Sequence, residues 1–392
     1  SLPRGGPARR CARRSIPEAA ARAAACHTPR WRPSPSVPMS QPSVCLQPIV
    51  PGADFPENPA QVEVWRGPRI ESRHRGAWVL AEPDGRVVAS SGDPLQRHFA
   101  RSSIKALQAL PLLESEADRR FGFEAPDLAL AISSHQAERQ HVERALSMLA
   151  RAGWNAGHLR CGAQPPSDSR MKRELEQAGQ SPGPEHNNCS GKHAGFLALC
   201  RHLDGDPASY LSAAGPVQPR VARAVAEMCG LAGEPLEFGT DGCSAPTFHL
   251  PLAGLAAAFA RFANPGSLPE ARQQACRRLA RAAAEHPELV AGRKGRLCTD
   301  LLKATSGRLF GKVGAEGMYV IGVVGGGLGL AVKLDDGQKR GLHALVLGLL
   351  ERFELLSGRE LEALAPWRPG PLHNWAGLEV GRLSLTPEAA GR

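Results

Sequence analysis

The chain has 392 residues, 42% of them hydrophobic, enough to bury one large core or two modest ones. Its formal charge of +10 is unevenly placed: residues 1–38 hold eight arginines and one glutamate, +7 of the total, and the remaining +3 is near balance for so long a chain. Aromatic residues make up 5%, too few for base-stacking platforms, and no apolar run reaches the ~18 residues of a membrane span. Neither nucleic acid nor membrane is an expected partner.

In chain order, residues 1–38 are rich in Arg, Ala, Pro and Ser and lack periodicity, and 39–60 are Pro-rich. The whole 1–60 stretch reads as a disordered or non-native extension; for 1–38 a disordered tail or a natural start at Met39 is favoured over a transit peptide. Strands are expected at 62–65, 77–82 and 86–90, the last two joined as a hairpin through Pro83-Asp84-Gly85. ARSSIKALQALP (100–111) reads as a helix with Ile104, Leu107 and Leu110 on one face, stopped near Pro111. DLALAIS (127–133) reads as a buried strand ending at Ser134 and His135, and 141–152 as an amphipathic helix.

A helical middle follows at about 192–203, 219–230, 251–263 and 270–286. Two late strands, about 318–324 and 328–334, are joined by Gly325-Gly326-Gly327, and a helix follows at 339–355. The expected fold is α/β, a mixed, mainly antiparallel sheet built from both chain ends and covered by helices. The catalytic domain is placed at 61–356, with 357–392 packing on it and the last residues disordered.

Chemistry enters with spacing. Ser102 and Lys105 stand three apart in a helical stretch, so they share a face. A serine hydroxyl becomes a nucleophile only when a base takes its proton. Lys105 can serve if its pKa falls by roughly 3 units from ~10.4, at a cost of about 4 kcal/mol. The plain alternative is a helix cap beside a surface lysine, and the chain holds its own control. Ser169 and Lys172 have the same spacing within a charged stretch and read as a solvated face. A second pair, Ser134 at the end of the buried run and Lys312 in GKVGAEG, favours the catalytic reading. Lys312-Val313-Gly314 matches in part the Lys-[Ser/Thr]-Gly strand of penicillin-recognising enzymes, whose active helix also opens with Ser-x-x-Lys.

The ten cysteines form no dense framework, and those in apolar helical patterns, such as Cys200 and Cys229, read as buried thiols of a reducing, cytoplasmic compartment. Cys189 and Cys243 differ, since each stands among polar, small residues in a loop expected to lead into a helix. With an amine or imidazole from Lys192 or His193 they offer a zinc site with one position left for water. Two free thiols are the alternative.

Taken together, RSSIKALQALPLLE (101–114), HNNCSGKHAGFLALC (186–200) and DGCSAPTFHLPLAGLAAAFARFA (241–263) resemble the L-asparaginase II family, of the rhizobial serine–lysine type. The likeness continues through SSHQAERQHV (133–142), GKVGAEGMYV (311–320) and KLDDGQKRG (333–341), and PLHNWAGLEVGRL (371–383) resembles the closing segment. It implies a serine β-lactamase/glutaminase-like fold, a homodimer, and hydrolysis of L-asparagine to L-aspartate and ammonia. It implies catalytic pairs Ser102–Lys105 and Ser134–Lys312, substrate contacts from Arg101, His135 and Asp241, and zinc held by Cys189, Lys192 and Cys243. Glutamine, a β-lactam or a D-peptide amide are alternative substrates, and a silent zinc- or amino-acid-binding homologue is the non-enzymatic alternative. The chain departs from the family pattern in carrying Gln136-Ala137 for Ser-Gly, and Ser244 for Gly.

Overall fold

In the computed structural model, which describes residues 44–48 and 57–391, the organising element is one long bent strand. The strands are β1 (Leu46–Pro48), β2 (Ala60–Arg66), β3 (Arg69–Ala81), β4 (Val87–Ser91), β5 (Arg97–Phe99), β6 (Leu236–Thr240), β7 (Pro246–Pro251), β8 (Leu309–Val313), β9 (Met318–Val323), β10 (Leu328–Leu334), β11 (Pro371–His373) and β12 (Glu379–Leu385). The main sheet runs β11-β12-β2-β3-β10-β9-β8 with β4 also on β3, and every pairing in it is antiparallel. A smaller sheet, β1-β6-β7-β5, carries one parallel pair, β1 with β6. The expected α/β architecture, mainly antiparallel and helix-covered, is the one observed.

The two halves of β3 differ because their surroundings do. Arg69–Arg75 alternates exposed charged residues with the more buried Ile70, Ser72 and His74 against β2, whereas Gly76–Ala81 is buried on both faces between β10 and β4. Strand periodicity sends Ala77, Val79 and Ala81 into one core and Trp78 and Leu80 into another. Helix Leu252–Ala263 covers the first face and helix Lys339–Arg352 the second. Close packing of the first helix depends on two glycines. A Cβ on Gly329 would lie 2.0 Å from Ala256 O, and one on Gly322 would lie 2.6 Å from Phe259 O, so any side chain there pushes the helix off the sheet.

Three segments differ from the sequence reading. Residues 127–133 are not a strand: a helix spans Ala125–Ala131. Pro126 fits its first turn, and the Glu124 N–H donates to Asp127 Oδ2 at 2.9 Å. Asp127 itself is buried against Arg144 and Arg151. The helix packs among other helices on several sides, so its residues are uniformly apolar and resemble a buried strand. Pro111 does not stop the helical stretch either. A 3₁₀ turn, Arg101–Ile104, runs into helices Lys105–Gln108 and Leu110–Glu114, and Pro111 sits in the opening turn of the latter, where its missing N–H costs nothing. Finally, the Cys243 loop leads into β7 rather than a helix.

Within the stretch expected to be linker, Leu46–Pro48 pairs with Leu236–Phe238. At the other end, β12 pairs with β2 and a short helix, Pro387–Ala390, buries Ala389. The expectation for residues 1–38 lies outside the described residues. Among those described, no helix is long and apolar enough to cross a membrane.

Candidate active site

The turn Arg101–Ile104 packs against β8 and β9, which brings Lys105 and Lys312 to one place from distant parts of the chain. Both are fully buried. Lys105 Nζ donates to Ser133 O at 2.5 Å, Ser134 Oγ at 3.0 Å and Cys189 Sγ at 3.1 Å. Lys312 Nζ donates to the same Ser134 Oγ at 2.8 Å and to Val313 O at 3.1 Å. One hydroxyl therefore lies between two amines. Burial pushes Lys312 down to about 7 from 10.5, and the neighbouring Lys105 charge adds to the effect.

Ser102 is half-buried in the 3₁₀ turn and is not among the partners of Lys105. The spacing argument paired Lys105 with Ser102; the amine instead crosses to Ser134, at the exit of the helix that the sequence reading took for a strand. The control pair behaves as expected: Ser169 and Lys172 are exposed on helix Ser169–Gln177.

Arg101 adopts φ +51°, a left-handed conformation unusual for a non-glycine residue. Its N–H donates to Thr247 Oγ1 at 3.2 Å and its Nε to Asp241 Oδ1 at 2.6 Å. Burial works against the Asp241 charge, but Lys192 and Arg101 hold its carboxyl below the usual range. His135 is buried and kept neutral, chiefly by desolvation and then by His141. The Ala137 N–H donates to His135 Nδ1 at 3.1 Å, which assigns the proton to Nε2, and Nε2–H donates to Ser190 Oγ at 2.9 Å. Both ring nitrogens are thus occupied, and the His135 N–H donates to Asn188 O at 3.2 Å, tying the site to the cysteine loop.

Cys189 caps helix Ser190–His202, and Cys243 lies in the turn between β6 and β7. Both are free thiols. The neighbouring Cys243 thiol, with the Lys105 and Lys192 charges, outweighs burial and holds Cys189 well below a normal thiol, while Cys243 is raised. Lys192 Nζ donates to Cys243 Sγ at 3.1 Å. Burial opposes the Lys192 charge, yet Cys243, Cys189 and Asp241 together keep its pKa above the ordinary value. The two sulfurs are donors that suit zinc, and the Lys192 amine becomes a third only on losing the proton it now donates to Cys243. His193, the alternative donor, turns instead to Tyr210, with Nδ1 2.7 Å from Oη. Among the described residues, no group of three or more His, Cys, Asp or Glu side chains is placed to hold a metal.

Sequence reasoning missed two groups that hold the site. Arg296 donates to Ser134 O at 2.7 Å, and Val290 O accepts the Ser134 N–H at 2.9 Å. Arg296 stands in a run with Arg293 and Lys294, and nothing in the sequence separates the inward residue from the two exposed ones. On the outer side, Gln136 Nε2 donates to Lys294 O at 3.3 Å. Gln136 lines a cleft of about 710 Å³ with Glu138, Asp168, Arg170, Arg293 and Lys294.

A buried serine between two lysines, beside an antiparallel sheet flanked by helices, is an arrangement that can move protons at a hydroxyl. The L-asparaginase II family model matches residues 62–385, and the chain belongs to that family. The assignment makes it an amidohydrolase acting on a small-molecule amide. No curated protein matches the sequence. Among solved structures, a β-lactamase from Mycobacterium bovis is 16% identical, with 74% of this chain and 94% of that one covered and a TM-score of 0.36. Mglu in its native form in 4.3 M NaCl is 16% identical, with 73% and 63% covered and a TM-score of 0.34. Mglu in its tris and glutamate form gives 16% identity, 76% and 63% coverage and 0.33. The chain thus spans less than two thirds of the length of these two Mglu structures.

Proposed function

We propose that the protein hydrolyses L-asparagine to L-aspartate and ammonia through an acyl-enzyme on Ser102. The observation that carries the reading is the Ser134 hydroxyl held by Lys105 at 3.0 Å and Lys312 at 2.8 Å in a buried setting. Lys105 first gives a proton through Ser134 to neutral Lys312 and turns from Ser133 O towards Ser102. Ser102 then attacks the side-chain amide carbon as its own proton passes to Lys105. Ser134 carries the Lys312 proton on to the departing ammonia. Lys312, with a pKa near 7, is partly neutral at neutral pH and later takes the proton of the attacking water through Ser134. As the bond from Ser102 to the acyl carbon breaks, Lys105 returns a proton to the Ser102 oxygen, and Ser134 passes the Lys312 proton back to Lys105.

Arg101 and Asp241 present opposite charges, complementary to the α-carboxylate and α-ammonium of an amino acid, and His135, next to Ser134 in the chain, is a buried neutral group that contacts substrate. Cys189, Lys192 and Cys243 are the residues that would hold zinc, which when bound orients the pocket rather than generating the nucleophile, since lysines already supply the base. We extend the proposal to a cytoplasmic homodimer whose catalytic unit is 61–356.

The test is ammonia release by purified protein from excess asparagine, glutamine and nitrocefin (scored by colour for the last), with and without added zinc. Turnover of asparagine that disappears in a folded Ser102→Ala variant supports the reading. Near-normal activity in that variant, or turnover of nitrocefin alone, overturns it.

A further inference from the structure

Arg296 precedes helix Leu297–Ala304 and is half-buried. Its Nη2 donates to Ser134 O, and Val290, six residues earlier on the same segment, accepts the Ser134 N–H. A single stretch of chain therefore grips both main-chain polar groups of the residue whose hydroxyl lies between the amines. Nearby Arg293 has Glu138 as its carboxylate partner. Arg296 has none among the described residues, so its charge is not neutralised locally.

We propose that Arg296 is a positioning residue for Ser134, holding the main chain that presents the hydroxyl and acting on the Lys312 amine from a third side. The ionisable groups acting on Lys312 come from several elements. Lys105 lies on the helix after the 3₁₀ turn, Cys298 on helix Leu297–Ala304, Cys189 at the cap of helix Ser190–His202, and Arg296 at the start of its own helix. Lys105 and Arg296 disfavour a charge on Lys312, while Cys298 and Cys189 favour it. Arg296 also disfavours charge on His135, His141 and His343, but the ordinary pKa of all three is 6.5 and each is pushed lower still, so they titrate below the window in which Lys312 does.

The role in turnover rests on the proposed amidase reading; the effect on Lys312 does not, and the experiment separates them. Unfolding free energy is measured against pH for Arg296→Met and Arg296→Lys, each alone and combined with Lys312→Met. In the wild type, stability rises with pH once native Lys312 begins to lose its proton. Arg296→Met is expected to delay the onset of that rise by roughly one pH unit, since a nearby like charge has been removed. Arg296→Lys leaves the onset in place, and with Lys312→Met the onset vanishes in every background.

Where asparagine is turned over, Arg296→Met lowers kcat about tenfold with KM little changed, and the acid limb of kcat moves up by the same pH step. Should Arg296→Met not fold at pH 7, Arg296→Gln takes its place. An unmoved onset in the uncharged variant, or a lysine variant displaced as far as the uncharged one, overturns the proposal. An inactive wild type with a shifted onset removes the amidase reading and leaves the Arg296 assignment intact.

Discussion

Replacing Lys312 by methionine is expected to stabilise the protein while abolishing its activity. Lys312 is fully buried, and burial, with the Lys105 charge second, lowers its pKa from 10.5 to about 7. At 1.36 kcal/mol per unit this is roughly 5 kcal/mol of native-state penalty at and below neutral pH. Methionine has comparable length and no charge to desolvate. It loses the bonds to Ser134 Oγ and Val313 O, worth about 1 kcal/mol each, and Ser134 keeps its bond from Lys105. The net expectation at pH 7 is a gain of about 3 kcal/mol.

The sign follows from proton binding. Between about 7 and 10.5 the unfolded lysine holds a proton that the native one has released, so wild-type stability rises across that window as pH rises. The variant lacks this rise. Its advantage is therefore largest at and below pH 7, shrinks above it, and reverses at about pH 9, where the remaining penalty equals the roughly 2 kcal/mol of lost hydrogen bonds. Urea unfolding of both proteins at intervals across this range reads the difference directly, because other titrations cancel. A variant less stable than wild type at pH 7, or a difference that does not change with pH, refutes the reasoning.

Activity is expected to fall about tenfold per pH unit below Lys312's value near 7; a kcat flat from pH 5 to 8 contradicts a working lysine base. Ala137 and Ser244 sit at φ +59° and +67°, where a Cβ costs about 1–2 kcal/mol. After the entropy of glycine is subtracted, Ala137→Gly and Ser244→Gly are each expected to raise stability by up to about 1 kcal/mol in thermal melts, and a loss would speak against the strain. Zinc at a hundred times its Kd is expected to stabilise the wild type by about 2.7 kcal/mol. Cys243→Ser is expected to lose both that shift and the retained metal in equilibrium dialysis. An equal shift in both proteins places zinc elsewhere.

The sequence carried much of this arrangement because period and punctuation agree there. The hairpin around Pro83-Asp84-Gly85 and the late strands joined by three glycines stand where turn chemistry puts them. The helix at 125–131 did not, since a helix buried on several sides loses the polar stripe that marks its period. The residues Ser134, Lys105 and Lys312 were legible as types, but which hydroxyl Lys105 touches was not. Helical spacing points to Ser102, while the 3₁₀ turn and full burial direct the amine across the core. The family's glycine pattern gains a physical meaning, since both positions where this chain replaces glycine adopt left-handed backbone. Arg296 was invisible because its role depends on a carbonyl 162 residues away in the chain.

The most direct measurement is peptide mass spectrometry of wild-type protein quenched in acid during asparagine turnover. An aspartyl adduct on Ser102, absent from Ser102→Ala, is the expected result. The same adduct on Ser134, or steady ammonia release by Ser102→Ala, would contradict the assignment of nucleophile and relay.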